Sequence, residues 1–239
     1  MKIFANICIL LFIFFSYSKA KELNQLVKKN GIYYDNVSNK LFSGIINGEI
    51  QGKILNGKKE GKFLKFYKNG KILSKTNFKN NKLNGEYLEF YFNGNLLVKK
   101  NYRNGFLDGE YLDFYNMGQP LSRRKYVNGK LDGEYLEYYK NGQLKNKKYF
   151  IKGKLEGDFL VYHEYELEKI TQLKVKSFFK NGMLEGEYLI YDENGQLREI
   201  GNYKKGKLEG QYLYFNRNGK LRRKLIYVRG NLTEIIGVD

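Results

Sequence analysis

The chain has 239 residues, with 43 Lys and Arg against 25 Asp and Glu and a formal charge of +18. At 42% hydrophobic and 16% aromatic residues it is too apolar for a disordered chain. Its 26 glycines come with one proline, which excludes a collagen-like helix, and its single cysteine excludes an internal disulfide framework or a Cys-rich zinc site. Abundant glycine and tyrosine without proline suit many tight hairpin turns between aromatic strands. The positive charge has two readings. One is an acidic partner such as anionic lipid, polyanionic glycan or nucleic acid. The other is a compositional excess of lysine, and it carries more weight because only eight of the basic residues are Arg, the side chain suited to specific anion recognition.

Residues 1–20 have the pattern of a cleavable export signal. Lys2 precedes an apolar run from Ile3 to Phe15, broken only by Asn6, and Ser18-Lys19-Ala20 gives a small-x-small site with cleavage after Ala20. The apolar run spans about 20 Å as a helix, short of the roughly 30 Å hydrocarbon core. Cleavage removes Cys8, Lys2 and Lys19 and leaves a mature chain at +16. The expected location is therefore the periplasm, the cell surface or the medium. Residues 21–40 read as a lead-in or cap, with weak helical spacing of Leu23, Leu26 and Val27 in the segment Lys21–Asn30. A cap there would shield a terminal sheet edge.

Residues 41–239 repeat with a period of 24. Segments of the type G-E-Y-L-E-Y-Y begin at Gly61, Gly85, Gly109, Gly133, Gly157, Gly186 and Gly210, with one spacing of 29. The same period runs through Leu83, Leu107, Leu131 and Leu155, and through Phe78, Tyr102, Tyr126 and Phe150. Each unit has two turn signals, exemplified by Asn93-Gly94 and Asn104-Gly105, between runs rich in Tyr, Phe, Leu and Ile. The expectation is an all-β fold: an elongated, single-layer antiparallel meander of about seven hairpin units. Alternation puts Tyr135, Glu137 and Tyr139 on one face and Glu134, Leu136 and Tyr138 on the other. Rows of Tyr and Leu are expected to bury one another between repeats, as in solenoids. If the Asn-Gly turns are three-residue loops with a bulge, Glu86 faces Lys100, Glu110 faces Arg124 and Glu134 faces Lys148, so much of the charge is self-paired.

The stretch Asn128 to Leu144, NGKLDGEYLEYYKNGQL, resembles the MORN-repeat variant (membrane occupation and recognition nexus) found in many bacterial proteins. The resemblance covers about Leu41 to Leu232, with a degenerate first unit around Leu41–Gly48. It implies a hairpin-repeat fold, no shared catalytic residues and an association with membranes. Some members carry a YwqK-type antitoxin label, from which an export signal is a departure.

Two irregularities remain. The long spacing comes from an insertion at residues 164–172, a hairpin tip that tolerates extra residues or marks a binding face. His163, the sole histidine, takes the slot of Tyr91, Tyr115 and Tyr139 and reads as an aromatic substitute; without a second His or a Cys nearby it suggests no metal site. No nucleophile motif, phosphate loop or metal-ligand spacing is present, so neither an enzyme nor a bound cofactor is expected. The leading expectation is an exported scaffold that binds a protein partner at the envelope or outside. The candidate surface is Tyr87, Tyr111, Tyr135 and Tyr188 with Lys100, Arg124 and Lys148. The alternatives are a peripheral binder of anionic membrane or glycan, and an antitoxin-like neutraliser, which requires retention in the cytosol. Export argues against nucleic acid as a partner.

Overall fold

The structure, a computed structural model, describes residues 20–165 and 172–237. The expected export signal thus lies, apart from Ala20, outside the described residues, as does most of the 164–172 insertion. The rest forms one 21-stranded sheet and a separate two-stranded hairpin. From Gly44–Asn47 to Asn231–Gly237 each strand pairs antiparallel with the next, and the two ends of the sheet do not meet. Only Lys21–Glu22 breaks the rule, lying parallel to Gly44–Asn47.

The turns make this meander. The second turn of each unit is a two-residue hairpin whose central residues both have positive φ, as in Asn104 (52°) and Gly105 (91°). That is the type I′ geometry, whose twist matches a right-twisted ribbon. Asn tolerates the left-handed region, but Lys152, Lys205 and Arg229 hold φ of 50°, 50° and 51° at the same position. Replacing each with Asn is expected to add about 0.5 kcal/mol per site, read as a rise in Tm.

Both long edges of the sheet are stitched from unit to unit. On one edge the Gly105 N–H donates to the Leu83 carbonyl (2.8 Å), and the pattern recurs from Gly129 to Leu107 and from Gly153 to Leu131. The N–H before each glycine donates to a side chain 20 residues earlier: Lys152 to Asp132 (3.1 Å), Lys205 to Glu185 (2.8 Å), Arg229 to Glu209 (2.8 Å). On the other edge the hydroxyls of Tyr67, Tyr91, Tyr115 and Tyr139 donate to carbonyls of the next unit at 2.7–2.9 Å. His163 occupies the same slot, with Nε2 2.9 Å from the Tyr191 carbonyl. Backbone and side-chain bonds that reach one unit on force every unit into the same register, and this is why so many columns keep the period.

Three expectations need correction. The helical spacing of Lys21–Asn30 yields a single 3-10 turn, Leu23–Gln25, followed by the hairpin Leu26–Lys29 with Ile32–Asp35. Asn30 and Gly31, at φ 49° and 81°, form its I′ turn. The hairpin wins because it drives Leu26 and Tyr33 into a core with Phe42, Ile46, Ile54 and Phe63, where Ile46 and Ile54 have no exposed surface.

The charge pairing is also shifted by one residue. The Asn93-Gly94 turn is a three-residue loop closed by Tyr91 and Asn95, which leaves Phe90 opposite Leu96. A further bulge between Leu96 and Val98 then moves the register, so Glu86 lies opposite Asn101 and Lys100 opposite Tyr87. Glu86, Glu110 and Glu134 therefore pair with Lys99 (2.9 Å), Arg123 (3.1 Å) and Lys147 (2.8 Å), not with Lys100, Arg124 and Lys148. These pairs share a face with the Leu88, Leu112, Leu136 row, which alternates with the same basic residues. The Tyr87, Tyr111, Tyr135 row lies on the opposite face, so it and the Leu88 row do not bury one another.

Candidate interaction face

The shifted register gathers the other charges onto the tyrosine face, hereafter the inner face. One continuous row across neighbouring strands reads Tyr87, Lys100, Tyr111, Arg124, Tyr135, Lys148, Phe159. Six of the seven residues expected to form a partner surface are thus brought side by side. The seventh, Tyr188, lies further along the same row between Ser177 and Gly201, with no cation beside it.

Each cation in the row is sandwiched by rings. Lys100 Nζ stands 4.4 Å from the Tyr87 ring centre and 5.4 Å from that of Tyr111. The Arg124 guanidinium is 4.3 Å from Tyr111 and 5.2 Å from Tyr135, and Lys148 Nζ is 4.2 Å from Tyr135. Contacts of this kind contribute roughly 0.5–2 kcal/mol each, more as water is excluded. Behind the tyrosines stand the second-strand aromatics: Tyr87 meets Tyr102, Tyr111 meets Tyr126 and Tyr135 meets Phe150, at 5.8–6.2 Å between ring centres. Those rings sit opposite Gly85, Gly109 and Gly133, which leave the space clear.

A second row runs beside the first, of which the sequence placed only Glu137 on the tyrosine face. Glu89, Asp113 and Glu137 occupy one column in three successive units, and Val161, Ile190 and Tyr214 continue it. Arg124 forms an ion pair with Asp113, which also accepts the Ser122 hydroxyl at 2.6 Å. Lys148 pairs with Glu137 at 3.5 Å, and Asn146 donates to the same carboxylate. The Tyr87 hydroxyl donates to Glu89 at 2.9 Å. Lys100 forms no ion pair among the described residues. The signal was available: an acid recurring at a 24-residue spacing, on the same strand face as the tyrosine two residues earlier.

The inner pairs are much less exposed than the outer ones. Side-chain exposure is 20% and 13% for Arg124 and Asp113, but 58% and 54% for Arg123 and Glu110. Burial, followed by the hydrogen bond with Glu137, pushes the Tyr135 phenol up to about 12. The Tyr87 and Tyr212 phenols rise well above their usual range, through burial first and then through hydrogen bonds to Glu89 and Glu199. For Glu137 burial works against ionisation, but donation from Tyr135 and Asn146 and the nearby Lys148 outweigh it, so the carboxyl stays below its ordinary value. The Glu137 carboxyl is therefore held ionised and the phenols un-ionised at neutral pH.

In the flanking units the cation column carries no charge. The cation column continues as Thr76 on one side and as Ser177, Gly201 and Leu225 on the other. The Tyr212 ring lies so close over Gly201 that a Cβ there would come within 2.4 Å of it. The cations between the tyrosines are thus a property of the three central units and not of the repeat. A cleft of about 320 Å³ opens among Asp113, Arg124, Tyr135, Glu137 and Lys145. Among the described residues no group of three His, Cys, Asp or Glu is placed to hold a metal ion, and no helix is long and apolar enough to cross a membrane.

A family model described as MORN repeat variant matches residues 59–80, 83–104, 131–152, 184–205 and 208–229. Each window covers one two-stranded unit, beginning at the Leu83 column and ending in the I′ turn. No curated protein matches the chain. MORN repeats generally bind proteins or membrane lipids, and the family is one of repeat scaffolds, not typically of enzymes. With five of its repeats matched, the chain belongs to the MORN repeat variant family.

Proposed function

We propose that the protein is an exported scaffold whose inner face, over the three central units, binds an extended segment of a protein partner. The observation that supports this most is the confinement of ring-flanked cations to those units, where flanking repeats show that small or apolar residues fit the cation column. Successive cations lie two strands apart, about 10 Å, a spacing that an extended chain crossing the strands can match with every third residue. Tyrosine supplies large contact area at low entropic cost, and Lys100 has a charge that no carboxylate among the described residues pairs with.

Differential capture from an envelope fraction tests the reading. Wild-type protein and an outer-face variant, Phe178→Asp, are expected to retain the same partner, whereas an inner-face double variant, Tyr111→Ser with Tyr135→Ser, loses it. Retention by the inner-face variant would sink the proposal. Export is tested separately by sequencing the mature N-terminus, which is expected to be Lys21. An intact Met1 in the cytosol would favour the antitoxin-like reading instead.

A second reading, attachment to anionic membrane or glycan, draws on the +16 of the mature chain and on its exposed outer lysines. Attraction of this sort is worth about 1 kcal/mol per basic residue near the surface and fades with salt. Sedimentation with phosphatidylglycerol vesicles at low salt decides it. The inner cations contribute little to such binding, because acids of the chain stand beside two of the three.

A further inference from the structure

The column of Leu83, Leu107, Leu131 and Leu155 has a lysine, Lys59, in its first unit. Leucine at this place packs against a ring of the preceding strand, Leu83 opposite Phe78 and Leu107 opposite Tyr102. Lys59 keeps the place but not the chemistry. It lies opposite Ile54, with Nζ 5.0 Å from the ring centres of both Phe63 and Phe78. A second lysine faces it from the cap hairpin: Lys28, whose Nζ is 5.5 Å from the Tyr33 ring. Burial and the neighbouring Lys28 charge both hold the Lys59 ammonium below the ordinary lysine pKa.

The two lysines, with Gly31, Tyr33, Phe78 and Asn81, line a cleft of about 250 Å³ between the cap and the first unit. Asn81 bolts its walls together. Its Oδ1 accepts the Lys59 N–H at 2.6 Å and its Nδ2 donates to the Gly31 carbonyl at 2.7 Å. Among the described residues neither lysine forms an ion pair. A half-buried ammonium without counter-charge, beside a second one, costs stability, and the other units show that leucine avoids that cost.

We propose that this cleft is a binding site for a compact dianion, a phosphate monoester or a small dicarboxylate, with Lys28 and Lys59 supplying the two countercharges. The volume is below the usual range for drug-sized ligands, which restricts the occupant to a small anion. The fixed walls keep the lysines in place before the ligand arrives, so little ordering remains to oppose binding. Tyr33 and Phe78 offer apolar surface for an organic remainder.

The test uses the intact chain with inorganic phosphate and succinate as separate probes, followed by calorimetric titration and by thermal melting. Wild type is expected to bind at least one of them and to melt higher in its presence. Lys59→Leu restores the repeat's own residue, so it is expected to melt higher than wild type without ligand and to lose the ligand-induced rise. Lys28→Met is expected to weaken binding at least tenfold, with a ligand-free Tm no lower than that of wild type. The phosphate and succinate arms separate a phosphoryl ligand from a carboxylate one. The site is refuted if wild type binds neither probe, if Lys59→Leu keeps the ligand-induced rise, or if Lys59→Leu melts lower than wild type, since the ammonium would then be a structural element.

Discussion

Raising the pH from 10 to 12 is expected to unfold the protein in one cooperative step, with phenolate absorbance and loss of strand signal coinciding. Seven inner-face tyrosines, Tyr87, Tyr111, Tyr135, Tyr188, Tyr203, Tyr212 and Tyr214, have phenols raised above the ordinary value of 10, in every case mainly by burial. The folded state thus binds the phenolic proton more tightly than the unfolded one. Stability from this source is complete below pH 10 and drains away as the pH climbs from there toward the folded values, about 12 for Tyr135. Each raised unit is nominally about 1.4 kcal/mol. All of these side chains but Tyr212 are only partly buried, and screening reduces that to about 1 kcal/mol or less per residue. Seven such contributions still rival the 5–15 kcal/mol of a whole domain. Tyr111, Tyr188 and Tyr203 carry no acid-linked hydrogen bond, so the triple Phe variant is expected to keep its fold and shift the midpoint to higher pH. A gradual titration centred on 10, with the sheet intact, would refute the argument.

The repeat made this fold legible because its information is local. Asn-Gly pairs specify their turn type, and a 24-residue period repeated over several columns admits little besides a stack of hairpins. The site was legible only by column. Tyr87, Tyr111 and Tyr135 stand out, as do Lys100, Arg124 and Lys148, but which charge meets which ring depends on the bulge between Leu96 and Val98 and its equivalents. A bulge moves every later partner by one residue and leaves almost no compositional mark. The pairing of Glu89, Asp113 and Glu137 with this face's cations and phenols was hidden for the same reason: with the register set one residue off, Glu86, Glu110 and Glu134 seem to satisfy all the cations. The cap was obscured differently, since spacing of Leu23, Leu26 and Val27 suits a helix until Asn30-Gly31 is given its turn, and only the distant Phe42, Ile46 and Ile54 decide the matter.

Removing the Asp113 carboxylate alone is expected to cost about 2–3 kcal/mol, because it strands a cation that the sheet has largely withdrawn from water. Asp113→Val leaves Arg124 at 20% side-chain exposure with only ring faces and the Tyr135 hydroxyl, 3.3 Å away, for partners. For a chain of this size the loss corresponds to a fall in Tm of roughly 5–10 °C. The protein itself contains the compensated arrangement. Val161 stands in the acid column and Ser177 in the cation column, within the same sheet and beside the same kind of aromatic neighbours, Phe159 and Tyr188. The double variant Asp113→Val with Arg124→Ser reproduces that arrangement one unit pair earlier, and is expected to recover most of the lost stability. Melting curves of wild type, both single variants and the double variant close a cycle whose interaction energy should be at least about 1.5 kcal/mol. Additive losses would mean that the pair does not act as a unit. Recovery would carry a further consequence. If the uncharged arrangement holds the sheet equally well, stability does not account for three charged units in a row. Loss of partner capture by the stable double variant would then separate the task of these charges from the fold that carries them.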